Sequence, residues 1–277
     1  MSESLVLVDE PVERVRRVTL NRPEKRNALN ASLRRAILDT LGEHDADPDV
    51  SLTIVRGAGS CFSAGYDLNP GPDEAGDGYP RGGGVGSFQR EVTEGWMSIW
   101  DLAKPVIAQV HGYCLAGGSE LATGCDLVYA ADDAQIGYPA VRFGTPDMQY
   151  HAWLLGMRRG MELMLTGDSI SGKEAAEHGF ATRSFPAEEL EERVLDVATR
   201  ISHIPSDVVQ INKRTVHRAM AVMGMPDAIR GGTELSALAV HTEGFQAFME
   251  ARDSGGLVGA LNQRDGQFGD YRTGHGT

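Results

Sequence analysis

Basic charge is scarce in this chain: 26 Lys and Arg stand against 39 Asp and Glu, a formal net charge of −13. A nucleic-acid partner needs a net basic face, so broad nucleic-acid binding is excluded. A local basic patch for an anionic small ligand is not. Cysteine is scarcer still. Cys61, Cys114 and Cys125 are odd in number, isolated and without CxxC spacing. That argues against a disulfide frame or a zinc site and for a reducing compartment. No window reaches the ~18 apolar residues of a membrane span. The stretch "MSESLVLVDEPVERV" has neither the basic start nor the apolar run of a secretion signal. The GxGxxG of a dinucleotide site is missing, and so is any metal motif. The expectation is a soluble, cytoplasmic protein with no membrane, nucleic-acid or metal partner.

What is present suits a large folded unit. With 277 residues, 41% hydrophobic and 23% charged, the chain can bury a sizeable core. "VRRVTLN" alternates like a strand, "RPEKRNALN" turns the chain, and "ASLRRAILDTLGEH" has helical spacing, with Leu33, Ile37 and Leu41 in register and Asn30 as N-cap. "SLTIVRG" is the next strand and "AGSCFSAGYDL" a glycine-bearing turn. "NPGPDEAGDGYPRGGGVG" is too rich in Gly and Pro for regular structure, and reads as a surface loop or a substrate-gating loop. A helix, "SFQREVTEGWMSIWDLA", leads into the strand "PVIAQVHG", the turn "YCLAGGSE", a short helix "ELATGC" and the strands "DLVYAA" and "AQIGYP". From about residue 156 to 250 the pattern is almost wholly helical, with 226–252 as one segment, and the Gly-rich tail from 253 is expected to fray. The reading is an α/β core over residues 1–200 followed by a helical region and tail over 201–277.

Two turns stand out, "FSAGYDL" (62–68) and "LAGGSEL" (115–121), either as plain strand–helix connections or as ligand-binding turns. Glycine lets backbone approach a ligand closely, and a helix start adds partial positive charge. If both turns face one pocket, an N–H from each can hold a carbonyl oxygen as it becomes an enolate: an oxyanion hole.

The segments "NRPEKRNALN", "CFSAGYDL", "KPVIAQVHGYCLAGGSELATGCDLVYAADDAQIGYP", "MELMLTGDSISGKEAAEHGFA" and "GFQAFMEARD" occur in the order found in the crotonase (enoyl-CoA hydratase/isomerase) superfamily, which the chain resembles over roughly residues 5–252. The resemblance implies a crotonase-type spiral of repeated ββα units with a C-terminal helical trimerisation region, and assembly as a homotrimer or hexamer. It implies an acyl-CoA substrate, with coenzyme A arriving as part of that substrate and no permanently bound cofactor. Carried over by position, it places the oxyanion donors at the backbone N–H groups of Tyr66 and Gly117. It places adenine contacts around Ala64, Tyr66 and Leu68, and the pantetheine and phosphate path along "RPEKRNAL", including Ala28, with Lys25 or Arg26 as phosphate contacts. Because CoA is polyanionic, a few local cations suffice within an acidic protein.

Glu120 matches the first of the two glutamates that hydratases use for proton transfer, and burial would raise its pKa to suit that task. The second glutamate should follow the Pro of "GYP", and this chain has Ala140 there. Downstream, "FGTPDMQYHAWLLG" replaces a longer Gly-rich segment and brings in Asp147, Tyr150, His151 and Trp153. Asp147 or His151 is the candidate for the missing acid/base. His111, Trp96, Trp100 and the methionines Met157, Met161 and Met164 read as structural or packing residues, and Asp126 as the fixer of a turn. The expected function is an acyl-CoA-processing enzyme of the hydratase/isomerase type that stabilises a thioester enolate, with Glu120 as acid/base. The alternatives are a thioester or C–C bond hydrolase on the same fold, or a weakly catalytic acyl-CoA-binding protein.

Overall fold

The computed structural model describes residues 4–68 and 86–269. The Gly/Pro-rich loop, except for Gly86, and the last residues of the tail lie outside them. The alternating segments pair as strands. β1 (Val6–Val12) runs antiparallel to β2 (Val15–Leu20), and β3 (Leu52–Gly57), β4 (Val106–Val110), β6 (Leu127–Ala131) and β9 (Arg183–Phe185) join in parallel, in the order β1-β2-β3-β4-β6-β9. Every residue of β4 is buried. That suits a central parallel strand, which is covered on both faces. A second, three-stranded sheet has the order β5-β7-β8, from β5 (Tyr113–Leu115), β7 (Gln135–Gly137) and β8 (Ser169–Ser171).

Strand pairs alternate with helices, as the repeated ββα plan requires. In α1 (Ala31–Ala46) the Asn30 side chain accepts the Leu33 N–H at 2.8 Å, and Leu33, Ile37 and Leu41 face the core. α2 (Ser87–Asp101) and α3 (Gly117–Gly124) follow. α4 (His151–Thr166) is broken at Gly156 and α5 (Gly172–His178) opens with a capping box at Ser171. Beyond them come α6 (Leu190–Ser202), α7 (Ser206–Val222), α8 (Met225–Ala239) and α9 (Glu243–Asp265). No helix among the described residues is long and apolar enough to cross a membrane.

Several sequence expectations need correction here. The region after residue 156 is not continuously helical, because β8 and β9 interrupt it to complete the two sheets. The segment 226–252 is two helices, parted at 240–242, where Thr242 caps the second by accepting the Phe245 N–H. The Gly-rich tail remains helical to Asp265, bent at Gly256. Arg142 and Arg264 hold that end in place through Asp265, at 3.1 and 2.7 Å. Met157 and Met161 are exposed, not packed. Asp126 does more than fix a turn: its carboxylate accepts the Val106 N–H and binds Lys213 and His217 of α7, at 2.9 and 2.8 Å.

Candidate active site

The two glycine turns meet. Leu29 donates its N–H to Gly65 O at 2.8 Å and accepts from the Asp67 N–H at 3.2 Å, as a parallel bridge between Leu29 and Tyr66. The N–H of Tyr66 therefore points away from Leu29. Gly65 has φ +104, and a Cβ there would lie 2.9 Å from the Ala116 side chain and 3.4 Å from Gly117 N. Only glycine fits so strained and crowded a position. At Gly117 a Cβ would sit 2.6 Å from the Tyr66 ring, so this glycine makes room for that side chain. Among the described residues, neither the Tyr66 N–H nor the Gly117 N–H has a hydrogen-bond partner. Two N–H donors without a partner among the described residues thus stand on the two turns where these meet, one of them at the first residue of α3.

They adjoin a cavity of about 820 Å³. Lys25, Arg26, Ala28, Ala64, Tyr66 and Leu68, the residues assigned to CoA, all line it. Lys25 Nζ lies 3.6 Å from the Asp67 carboxylate, which also pairs with Arg22 at 3.0 Å. Arg34, Arg252 and Arg264 line the cavity as well, and sequence reasoning missed them. Arg264 lies in the Gly-rich stretch whose composition predicts fraying, and Arg34 stands on a helix whose apolar periodicity carries no sign of a ligand.

Glu120 is fully buried and does not line the cavity itself. Tyr66, which does, donates its hydroxyl hydrogen to Glu120 Oε2, and the Met148 N–H donates to Glu120 Oε1 at 3.0 Å. Trp96 Nε1 donates to the Tyr66 hydroxyl at 3.1 Å, so a residue taken for packing also orients the site. Its i, i+4 partner Trp100 gave no sign of that difference. Burial, reinforced by the Asp147 charge, pushes the Glu120 carboxyl up to about 8.

The rewritten wall supplies a second carboxyl. Asp147 lines the cavity, and burial pushes its pKa up to about 6 against the hydrogen bond from Ser236 and the nearby Arg34. Ser236 Oγ donates to Asp147 Oδ1 at 2.7 Å, and the hydroxyls of Thr93 and Thr233 donate to its backbone oxygen at 3.1 and 2.9 Å. Tyr150 anchors the same wall to α3 by donating to Ser119 Oγ at 2.7 Å. Ala140 lines the cavity with a methyl group, where a longer acid would have projected. His151 does not line it. Its ring stacks on Tyr150 at 4.1 Å, neither ring nitrogen has a partner among the described residues, and burial holds it down to about 4, hence neutral at pH 7. His111 bonds the Gly59 carbonyl at 3.0 Å, outside the site. Among the described residues no group of three or more His, Cys, Asp or Glu could hold a metal ion.

The chain as a whole is similar to known proteins. The family model described as enoyl-CoA hydratase/isomerase matches residues 10–255. A Mycobacterium tuberculosis protein named "Probable enoyl-CoA hydratase echA8" is 32% identical over 260 residues, covering 91% of this chain and 97% of that one. The hydroxycinnamoyl-CoA hydratase-lyase of Pseudomonas fluorescens is 32% identical over 196 residues, covering 66% and 68%. Among solved structures, an enoyl-CoA hydratase from Mycobacterium smegmatis superposes with a TM-score of 0.87 at 32% identity, covering 97% of this chain and 95% of that one. An enoyl-CoA hydratase/isomerase from Xanthobacter autotrophicus Py2 gives 0.86 at 33% identity, covering 96% and 98%.

Proposed function

The chain belongs to the enoyl-CoA hydratase/isomerase family, and from that premise we propose that it adds water to, or removes it from, an acyl-CoA thioester. The observation that carries the proposal is the pair of unpartnered N–H groups, at Tyr66 and Gly117, beside two buried carboxyls, Asp147 on the cavity wall and Glu120 behind the Tyr66 hydroxyl. Burial raises both, and the base is assigned to Asp147, which faces the cavity with Ser236 and Arg34 favouring its ionised form, and the acid to Glu120. Asp147 takes a proton from water while the water oxygen bonds to C3 of the 2-enoyl thioester. The C2–C3 π electrons shift toward the thioester, whose oxygen becomes the enolate held by the two N–H groups. As the enolate collapses, the Tyr66 hydroxyl turns its hydrogen from Glu120 Oε2 to C2 and takes the Glu120 proton in its place. Dehydration is the reverse. Incubation with a panel of acyl-CoAs, with products followed by mass, tests this reading: a gain or loss of 18 Da is expected, and a product of any other change would overturn it.

Coenzyme A enters as part of the substrate, its phosphates toward Lys25 and Arg26. The protein is therefore expected to bind an acyl-CoA at least about tenfold more tightly than the free acid, since one charge-assisted hydrogen bond contributes about 1.5–3 kcal/mol. Equal dissociation constants by calorimetry would sink this assignment.

Assembly as a trimer or hexamer is proposed through exposed apolar faces, those of the C-terminal helices α7 and α8 among them. α6 has its partner already: Leu190, Val194 and Ala198 are buried against the six-stranded sheet. Among the described residues, exposed apolar side chains stand on α4, at Met157, Met161 and Leu165, on α7, at Val208, Ile211, Val216 and Val222, and on α8, at Leu235 and Leu238. The α4 residues recur every four positions and so form one stripe. Light scattering at micromolar concentration should give a multiple of three chains; a monomer would contradict it.

A further inference from the structure

Tyr66 stands between Glu120 and the cavity: Tyr66 lines the cavity, Glu120 does not, and the Tyr66 hydroxyl donates to Glu120 Oε2. The Tyr66 ring has little freedom. Gly117 lies so close that a Cβ there would be 2.6 Å from it, and the Phe88 ring meets it edge-on at 6.1 Å. What can still move is the hydroxyl hydrogen, by rotation about the C–O bond.

Trp96 restricts that rotation. Its Nε1–H donates to the Tyr66 oxygen at 3.1 Å, and an indole nitrogen can only donate. The Tyr66 hydrogen therefore has no acceptor in that direction. Two directions remain, toward Glu120 Oε2 and into the cavity, and they are the two ends of a proton path. Trp96 is itself held fast. It is 1% exposed, and its backbone oxygen would lie 2.8 Å from a Cβ at Gly124. Gly124 stands one helical turn after Glu120, on the same face of α3. Glycine there lets α2 pack tightly on the helix that carries the acid, which keeps indole and carboxyl in register. Burial pushes the Tyr66 hydroxyl well above its ordinary pKa, and the Trp96 N–H opposes that shift. A donor aimed at an oxygen favours negative charge on it.

We propose that Trp96 is a positioning residue: its indole N–H confines the Tyr66 hydrogen to the path between Glu120 and C2 and stabilises the Tyr66 oxygen while the proton passes. The Tyr66 O–H bond breaks as the C2–H bond forms. The Glu120 O–H bond breaks as a new Tyr66 O–H forms, and Glu120 is left as the carboxylate. Any lag between the two transfers leaves negative charge on the Tyr66 oxygen, where the indole donor meets it. This rests on the relay through Tyr66 and Glu120 given under the proposed function.

The test follows hydration of crotonyl-CoA and its longer 2-enoyl homologues by the full-length protein and by Trp96→Phe, Tyr66→Phe and the double variant. Trp96→Phe should lower kcat by roughly tenfold or more, with KM nearly unchanged; a donor to a full oxyanion is worth about 10²–10³-fold. Tyr66→Phe should lower kcat at least as far. Adding Trp96→Phe to it should cost less than about twofold more, because the indole N–H then has no oxygen to meet. Benzothienylalanine at position 96 keeps the size of the ring and lacks only the N–H, so it should reproduce the loss in Trp96→Phe, and it decides the case if the smaller ring unsettles the fold. Undiminished kcat with that isostere would overturn the proposal. So would equal fold-losses from Trp96→Phe with and without the Tyr66 hydroxyl, which is the mark of a packing role. Undiminished kcat in Tyr66→Phe would refute the relay itself, and this inference with it. Hydration of none of these compounds by the unmodified protein would refute the hydratase reading from which both proceed.

Discussion

Glu120→Gln is expected to lower turnover of the enzyme's own acyl-CoA by roughly 10²–10⁴-fold, the usual worth of general acid–base catalysis, while leaving acyl-CoA affinity nearly intact. The amide is isosteric and its oxygen can still accept the Met148 N–H, its NH₂ then donating to the Tyr66 hydroxyl, while the backbone N–H groups of Tyr66 and Gly117 stay in place. The same substitution has a second, opposite consequence for stability. Burial raises the Glu120 pKa to about 8 in the folded chain, well above the ~4.3 of an unfolded glutamate. The folded state therefore holds this proton more tightly, and stability falls as pH rises from about 4 to about 8. An uncharged amide removes that slope. Relative to the unmodified protein, Glu120→Gln should gain stability across this window, by an amount of order 3 kcal/mol at pH 7. Thermal unfolding at several pH values alongside turnover checks both claims. Undiminished turnover would remove Glu120 from the chemistry, and a stability difference that ignores pH would mean that the carboxyl is ionised when buried.

Much of the arrangement behind that expectation is legible in the sequence, and the reason is local. Asn30 before an apolar i, i+4, i+8 row announces α1, and the glycines at 65 and 117 announce turns whose crowding leaves no room for a side chain. The all-apolar run of β4, apart from Gln109, announces a strand covered on both faces. Where the sequence misled, long-range contacts decided. β8 and β9 are three residues each and gain their regularity from partners in β7 and β6, which no short window contains. The end of α9 survives its glycines because Asp265 is held by Arg142, 123 residues away. Trp96 looks like any buried aromatic until its Nε1 is found on the Tyr66 hydroxyl. Asp147 and His151 were indistinguishable as candidates. Only the fold turns the first into the cavity and stacks the second behind it on Tyr150.

Asp147→Asn carries the other large expected effect, and it separates a rewritten pair of acids from a lost one. If Asp147 is the base that activates water, its removal should lower hydration by roughly 10²–10⁴-fold. It should also alter the pH profile. With Asp147 required ionised and Glu120 required protonated, activity of the unmodified enzyme should rise through pH 6 and fall through pH 8, reporting the pair. In Asp147→Asn the acidic limb should vanish and the fall near pH 8 should move down, because loss of the neighbouring charge eases ionisation of Glu120. Ala140→Glu then supplies the complement. In the Asp147→Asn background a new carboxylate on the turn after Pro139 enters the same cavity and should recover part of the hydration of crotonyl-CoA. In the unmodified protein the same change should help less, since a third acid beside two buried ones raises the cost of ionising any of them. Equal rates for Asp147→Asn and the unmodified enzyme across pH 5–9 would refute the role of Asp147 and leave Glu120 to work alone, as a double-bond isomerase requires. Recovery by Ala140→Glu would establish that Asp147, on the wall from Phe143 to His151, replaces the absent glutamate in function.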